Sequence, residues 1–141
     1  GVQWDLVLKY LETKGTSQMD LKTDSISWGN YINNAWNITN ANSKYAPEGS
    51  RWTSGAYGAK ASNERILLST GASDDFCKQG IYDLAGNVYE WTLEKTSESD
   101  YPCTNRGGFF STYSTIAPAA YRGSSFTISC IYYIGFRLSL F

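Results

Sequence analysis

The segment from Gly80 to Trp91 limits the folds open to this chain more than any other stretch. It reads Gly-Ile-Tyr-Asp-Leu-Ala-Gly-Asn-Val-Tyr-Glu-Trp. Gly86 and Asn87 both tolerate positive φ and so predict a tight turn. Residues 88–93 then alternate as a β-strand does. One face carries Tyr89, Trp91 and Leu93, and the other carries Val88, Glu90 and Thr92.

The chain before this turn predicts one helix, one short strand and much ordered loop. Apolar residues with helical spacing run from Val2 to Glu12, with Trp4 on the predicted core face. Residues 65–69 form a short apolar run typical of a buried strand. Residues 16–63 are rich in Asn, Ser and Gly, with single aromatic residues that disordered linkers lack. We therefore predict loops fixed by aromatic rings, with short strands at most.

Length and charge exclude several classes of partner. A chain of 141 residues is long enough for one domain with one core, which we place at residues 1–141. The net charge of -1 offers no positive field to nucleic acid or to an anionic membrane. No apolar run approaches the length of a membrane-spanning helix, so direct membrane insertion is not expected. Because the chain begins at Gly1 inside a predicted helix, we interpret it as the C-terminal part of a longer protein.

The cysteine and histidine content restricts the available chemistry. The chain has no histidine, which removes the commonest general base and metal ligand. Three cysteines, Cys77, Cys103 and Cys130, allow at most one internal disulfide, and Cys77 with Cys103 is the expected pair if one forms. Separate free thiols are the alternative, expected for an intracellular chain.

The last third has an unusual composition between two glycine-containing brackets, residues 106–108 (Arg-Gly-Gly) and 135–137 (Gly-Phe-Arg). Lys, Glu, Gln, Met and Trp supply 22 of the first 106 residues, which predicts about five in the 26 residues 109–134, and none occurs. These five types share no physical property, but the codons of all five end in a purine. Residues 109–134 can all be encoded with a pyrimidine there, and most lie one or two changes from an Asn codon. The alternative is a Ser-, Thr- and aromatic-rich β segment that lacks long polar side chains by chance.

Three motifs in order, the Gly80 to Trp91 segment and the two brackets, resemble the formylglycine-generating enzyme/sulfatase-modifying-factor domain, a variant of the C-type lectin fold. The resemblance covers residues 80–141, with a weaker match of the opening helix. It implies an α+β fold with one or two helices, a small twisted antiparallel sheet and extensive irregular loops.

The resemblance does not extend to the catalytic residues. The family's enzymes oxidise a substrate cysteine with two active-site cysteines placed shortly after the Gly-Gly bracket, and the matching positions here are Thr112 and Ala117. Neither side chain is a thiolate ligand or a redox centre. We therefore expect no enzymatic activity.

The run 109–134 resembles the variable region of a diversity-generating retroelement protein, a class that uses the same fold. In that class the residues between the brackets form the ligand-binding face, which implies a protein or glycan ligand on a target surface and a location on a phage particle or bacterial cell surface. The predicted ligand contacts are Phe110, Ser111, Thr112, Tyr113, Ser114, Thr115, Ser124, Ser125, Phe126, Thr127, Ser129, Ile131, Tyr132 and Tyr133.

The closing bracket is predicted to support this face from below. Alternation through the last residues places Ile134, Phe136, Leu138 and Leu140 in the core, with Gly135, Arg137, Ser139 and Phe141 facing the other way. Residues 119–122 are interpreted as a fixed strip inside the variable run.

The resemblance also implies a structural Ca²⁺ site. The matching positions are Asp83, Gly86, Val88 and Glu90, which offer two carboxylates and main-chain carbonyls, the hard ligands that Ca²⁺ prefers. Alternatively, Asp83 and Glu90 cap the turn and pair with Arg106 or Arg137.

Two other functions stay open at this point. The chain could be a catalytically inactive or divergent member of the enzyme family. It could instead be a carbohydrate-binding lectin-like module that stacks sugars on Trp28, Trp36 and Trp52, although such rings also serve to fill a loop-rich core.

Overall fold

The first element is a twelve-residue helix, α1, at Val2–Thr13, as the apolar spacing predicts. Its inner face buries Trp4, Leu8 and Leu11. The helix ends before Gly15, whose φ of 96° is a left-handed conformation that stops helices. The computed structural model describes residues 1–126 and 131–137.

The rest of the first half consists of short elements joined by ordered loops, as predicted. A π-helical turn spans Met19–Thr23 and 3₁₀ turns span Ile26–Trp28 and Asp74–Phe76. The strands described are β1 Trp36–Ile38, β2 Lys44–Pro47, β3 Thr53–Ser54, β4 Gly58–Lys60, β5 Ile66–Leu68, β6 Cys77–Lys78, β7 Ile81–Tyr82, β8 Tyr89–Lys95, β9 Cys103–Arg106, β10 Arg122–Ser125 and β11 Ile134–Gly135. Strands β5 and β8 are the two that the sequence predicts.

The largest sheet has four strands in the order β10, β9, β8, β11. The pairs β10 with β9 and β9 with β8 are antiparallel, whereas β11 runs parallel to β8. Two-stranded sheets pair β1 with β4 and β6 with β7, and β2 pairs with both β3 and β5. The α+β prediction of a small sheet with extensive loops is confirmed.

The predicted alternation of the closing bracket is wrong at Phe136. Its side chain is 74% exposed, whereas Ile134 is half-buried. The paired strand β11 contains only Ile134 and Gly135, so the ladder that would turn Phe136 toward the core does not reach it. The predictions for residues 138–141 lie outside the described residues.

Among the described residues, the core consists of two hydrophobic clusters. The first joins α1 to the segment before β8 and contains Trp4, Leu8, Leu11, Leu21, Trp28, Tyr31, Leu84, Ala85 and Ala119. The second lies under the small sheets and contains Trp36, Ile38, Ile66, Leu68, Ala72 and Phe76. Trp4 also donates its indole N–H to the Ala119 carbonyl at 3.0 Å, so α1 is fixed to the last third of the chain.

Buried asparagines connect the two clusters. Asn87 has a φ of 62° at the predicted turn, and its amide donates to the Leu68 carbonyl at 3.0 Å. Its Oδ1 accepts from the Leu68 N–H and from Asn30 Nδ2, both at 3.0 Å. Asn30 in turn donates to the Ile66 carbonyl at 2.8 Å and accepts from the Trp36 indole at 3.1 Å. This network satisfies strand ends that would otherwise be unpaired inside the protein.

The described cysteines are unpaired. Cys77 in β6 and Cys103 in β9 are both free and half-buried, so the disulfide considered between them does not form. Among the described residues, no helix has the length and apolar composition needed to cross a bilayer.

Candidate functional site

The loop between β9 and β10, residues 107–121, begins at a glycine pair that no other residue could replace without strain. Gly107 and Gly108 have φ values of 90° and 81°. A Cβ on Gly108 would lie 2.2 Å from the Ala117 carbonyl oxygen, and one on Gly107 would lie 2.8 Å from that of Leu84. Gly107 also accepts the Tyr31 hydroxyl at 3.2 Å and the Gly86 N–H at 2.8 Å. The start of the loop is therefore fixed by close backbone contacts.

Framework residues hold the loop along its length. The Phe110 N–H donates to the Asn87 carbonyl at 3.0 Å, and the Ile32 N–H donates to the Thr112 carbonyl at 3.0 Å. Asn33 makes two bonds to Ser114, accepting from its N–H and donating to its hydroxyl, each at 3.0 Å. These contacts act mostly on the loop backbone, so they do not dictate the neighbouring side chains.

The turn that supplies Ile32 and Asn33 is itself organised by a buried lysine. Lys60 is 3% exposed, and its ammonium donates to the carbonyls of Tyr31, Ile32 and Asn34 at 3.0, 3.3 and 2.5 Å. Burial lowers the pKa of Lys60 to about 8. Sequence analysis did not find this residue, because nothing local to β4 indicates that its charge is buried.

The predicted ligand contacts fall into three described groups. Five side chains are exposed: Tyr113, Thr115, Ser124, Phe126 and Tyr132. Five are half-buried: Ser111, Thr112, Ser125, Ile131 and Tyr133. Two are buried: Phe110 and Ser114. Thr127 and Ser129 lie outside the described residues.

Phe110 and Ser114 are therefore corrected from ligand contacts to structural residues. Each is 0% exposed. Phe110 packs against Phe109 with ring centroids 5.7 Å apart, and both polar groups of Ser114 are taken by Asn33. A ligand could not reach either side chain without displacing the loop.

Two of the predicted contacts, Tyr132 and Tyr133, belong to an aromatic cluster that also contains Tyr89, Phe109 and Tyr121. Phe109 stacks on Tyr133 at 4.6 Å, and Tyr89 stacks on Tyr121 at 5.6 Å. Tyr89 joins the two pairs, lying 4.9 Å from Phe109. The contributions of Tyr89 and Tyr121 were not predicted. The sequence pattern that could have indicated Tyr89 is the alternation of the predicted strand, which puts it on the same face as Trp91 and Leu93.

Hydrogen bonds and burial define the electrostatics of the cluster. Burial raises the pKa of Tyr89 above its usual range, so its hydroxyl stays neutral. Tyr132 donates its hydroxyl to Glu48 at 3.1 Å, and burial together with this bond raises the pKa of Tyr132. Arg65 lies 2.7 Å from Glu48 and lowers the pKa of that carboxylate. The cluster is thus uncharged, with one ion pair at its edge.

A second set of predicted contacts lies at the end of β10. Ser125 accepts the Asn105 amide at 2.7 Å, while the Phe126 ring packs 4.2 Å from Tyr101. Phe126 is still 45% exposed. Strand pairing with β9 fixes the backbone here, since Ser124 and Ser125 lie opposite Thr104 and Cys103.

The alternative considered for the turn carboxylates is confirmed for Glu90. Arg137 donates to both oxygens of the buried Glu90 carboxylate, at 2.9 and 2.5 Å. Asp83 accepts the Gly71 N–H at 2.9 Å through Oδ2, and its buried Oδ1 has no partner among the described residues. Burial raises the pKa of Asp83 to about 6 and raises that of Glu90.

These contacts bear on the predicted Ca²⁺ site at Asp83, Gly86, Val88 and Glu90. The free oxygen of Asp83 suits a cation, whereas the Arg137 guanidinium already occupies the Glu90 oxygens with positive charge. Within residues 1–126 and 131–137, no three His, Cys, Asp or Glu side chains converge as a metal site. Calcium would have to compete with Arg137, and its binding stays a prediction.

The positions that match the family's catalytic cysteines, Thr112 and Ala117, carry no thiol. Thr112 is half-buried, and its hydroxyl donates to the Phe109 carbonyl at 2.8 Å. Ala117 is 0% exposed. Both residues stabilise the loop.

The three tryptophans considered for sugar stacking do not share a surface. Trp28 and Trp36 are buried, 1% and 9% exposed, and belong to different core clusters. Trp52 is 52% exposed. Sugar stacking is therefore wrong for Trp28 and Trp36, because both rings fill the loop-rich interior, which was the alternative, and it stays a prediction for Trp52.

Cavities of the described residues outside the aromatic cluster include two beside α1. The larger, about 810 Å³, separates the start of α1 from β8 and is lined by residues including Val2, Trp91 and Phe136. The smaller, about 480 Å³, lies beside the loop at Thr115 and is lined by three basic side chains.

The fold and the site together define a class: an α+β domain with a glycine-anchored loop over a four-stranded sheet and no cysteine pair at the catalytic positions. Comparison with known families matches residues 13–140 to the sulfatase-modifying factor enzyme 1-like domain. The chain belongs to this family. Searches of curated proteins and of solved structures found no match.

Proposed function

We propose that this chain is the non-enzymatic, ligand-binding variable domain of a diversity-generating retroelement, built on a C-type lectin-like fold. Its ligand is a protein or glycan on a target surface, and the domain is carried on a phage particle or bacterial cell surface. The observation that carries the proposal is that the framework holds the backbone of residues 109–126 while many side chains of that run face solvent.

The contacts within residues 109–126 support this separation between buried residues that anchor the loop and exposed side chains that are free to vary. Residues that anchor the loop, such as Phe110, Ser114 and Ala117, are 0% exposed. Side chains between them, such as Tyr113 and Thr115, are exposed. Because exposed positions contribute little to packing, they can change without unfolding the domain. A variable binding face needs this property.

The chemistry of the exposed positions also supports binding. Tyr113, Phe126 and Tyr132 are between 45% and 58% exposed. Tyrosine and phenylalanine offer large contact areas at a small cost in conformational entropy, and the neighbouring serines and threonines offer adaptable hydrogen bonds. The aromatic cluster gives this surface a rigid centre, as binding surfaces require.

The absence of enzymatic activity is part of the proposal. Thr112 and Ala117 occupy the positions of the family's cysteine pair, and the chain has no histidine. Described cysteines lie elsewhere, in β6 and β9. No general base and nucleophile therefore lie together at the loop.

Substitution at exposed and buried positions of the same run tests the proposal. We expect Tyr113→Ser, Thr115→Ser and Ser124→Tyr to change the free energy of unfolding by less than about 0.5 kcal/mol each. Phe110→Ser is the matched control, and it should cost about 3 kcal/mol or more because it leaves a cavity and buries a hydroxyl. Large losses at the three exposed positions would overturn the idea of an interchangeable face.

The encoding DNA provides the second test. The proposal requires a near-identical template repeat with adenines at the codons of residues 109–134 and a reverse transcriptase gene close by. A locus with neither feature rules out the retroelement assignment, even if the exposed positions tolerate substitution.

A divergent, catalytically inactive member of the sulfatase-modifying factor family is the second candidate. The family match over residues 13–140 supports it directly. If this second candidate is right, closely related copies of the chain should all bind the same ligand. Copies from one locus that differ at Tyr113, Ser124 and Phe126 would favour the variable domain instead.

A further inference from the structure

The smaller cavity beside the loop has more basic than acidic side chains in its walls. Lys22, Arg106 and Arg122 line it, together with the single carboxylate of Asp5. Thr115 and Ile116 form the side of the cavity that belongs to the loop. Three positive charges and one negative charge leave two positive charges on the walls. Glu94 pairs with Arg122 at 2.9 Å from outside the cavity and reduces this excess to one.

One carboxylate serves two guanidinium groups at this site. Asp5 accepts from Arg106 at 2.6 Å through Oδ1 and from Arg122 at 3.1 Å through Oδ2. Arg106 is 2% exposed, and its Nε–H has no acceptor among the described residues. A guanidinium carries five N–H donors, so most of the donors of Arg106 and Arg122 are not bonded to Asp5.

Lys22 adds a positive charge that is not neutralised in the described part of the chain. It is exposed and lies in the short π-helical turn. No carboxylate of the described residues lies within salt-bridge distance of its ammonium. Like charges facing one cavity repel, and an anion between them would remove that repulsion.

We propose that this cavity is an anion-binding subsite, which takes an oxyanion group of a ligand, such as a carboxylate, sulfate or phosphate. Arg122 and Lys22 contact the anion, and the buried Arg106 is a positioning residue that holds Asp5 and the cavity wall. The subsite lies next to Thr115, in the loop between β9 and β10. A ligand bound across the loop could therefore place a negative group there.

The test uses inorganic anions, so that its outcome does not depend on the proposed function. The protein is titrated with sodium sulfate, phosphate and acetate against sodium chloride at equal ionic strength, using calorimetry and NMR shifts of the backbone amides of residues 115–117 and 119–122. We expect saturable binding of at least one oxyanion, and the best of the three identifies the preferred chemistry.

Single-charge variants show whether binding occurs in the cavity. Lys22→Gln removes an exposed cation and should weaken binding about three- to fivefold, and adding Arg122→Gln should abolish saturation. Lys44→Gln, in β2, is the matched control and should leave the affinity unchanged. Lys22→Gln is expected to fold normally, since its side chain makes no described ion pair.

The proposal is overturned if none of the oxyanions saturates, or if Lys22→Gln binds as tightly as the parent protein. An equal loss with Lys44→Gln also overturns it, because that result means screening of the whole surface. None of these outcomes affects the substitution and DNA tests of the variable domain, so the two proposals fail separately.

Discussion

Replacing Asn87 with alanine should remove much of the stability of the domain. The Asn87 side chain makes three buried hydrogen bonds, two with the backbone of Leu68 and one with Asn30. Each lost bond costs about 1 kcal/mol, and more where the partner is left buried and unpaired. Alanine at a φ of 62° adds about 1 kcal/mol of backbone strain. The sum is about 4 kcal/mol, out of the 5 to 15 kcal/mol typical of a domain.

Two further variants separate the two causes. Glycine adopts this positive φ without strain, but Asn87→Gly loses the same hydrogen bonds as Asn87→Ala. It should therefore cost about 3 kcal/mol. Asn37→Ala is the control for loss of an asparagine from a strand, since Asn37 is exposed in β1. It should change the stability by less than about 0.5 kcal/mol.

Urea unfolding followed by tryptophan fluorescence measures these differences, with the slope of the transition checked for constancy. The reasoning is refuted if Asn87→Ala costs less than about 1 kcal/mol. It is also refuted if Asn87→Gly is as stable as the parent, because the hydrogen bonds would then contribute nothing.

The remaining predictions concern the carboxylates at the turn. The pKa of Asp83 is raised from 3.8 to about 6, so the stability it contributes is fully present below pH of about 4 and is lost as the pH rises through 6. Asp83→Asn should flatten the free energy of unfolding over that window, measured with EDTA present, and an unchanged slope would contradict this. If calcium binds at the turn, calorimetry should show stronger binding to Arg137→Gln than to the parent, since the competing guanidinium is gone; no heat and no rise in Tm in either protein would remove the site.

Local patterns in the sequence predicted the elements whose cause is local. The apolar spacing of residues 2–12 gave α1 and the buried Trp4, and alternation after Asn87 gave β8. The Gly86 and Asn87 turn followed from their tolerance of positive φ, and both adopt it. These features depend on residues a few positions apart, which a sequence displays directly.

The failures depend on contacts between distant residues. Ser114 looks like its exposed neighbours, but Asn33, 81 residues away, buries it and bonds to it. Phe136 continues an apolar alternation, but β11 ends before it. Nothing near Lys60 in the sequence indicates that its ammonium bonds to the carbonyls of Tyr31, Ile32 and Asn34. Sequence composition marked residues 109–134 as one unusual run, but it could not separate the exposed residues of that run, such as Tyr113, from buried ones, such as Phe110.

Lys60 gives the protein a cation that is attached by covalent bonds. Three carbonyl oxygens converging on one positive centre is an arrangement that many loops achieve by recruiting sodium, potassium or calcium. Here the cation is the ammonium group of a side chain, so a chelator or a medium poor in salts cannot remove it from the turn below the loop. Because burial lowers the pKa of Lys60 from 10.5 to about 8, holding the charge in this turn costs stability at neutral pH, and that cost is relieved as the pH rises from about 8 toward 10.5.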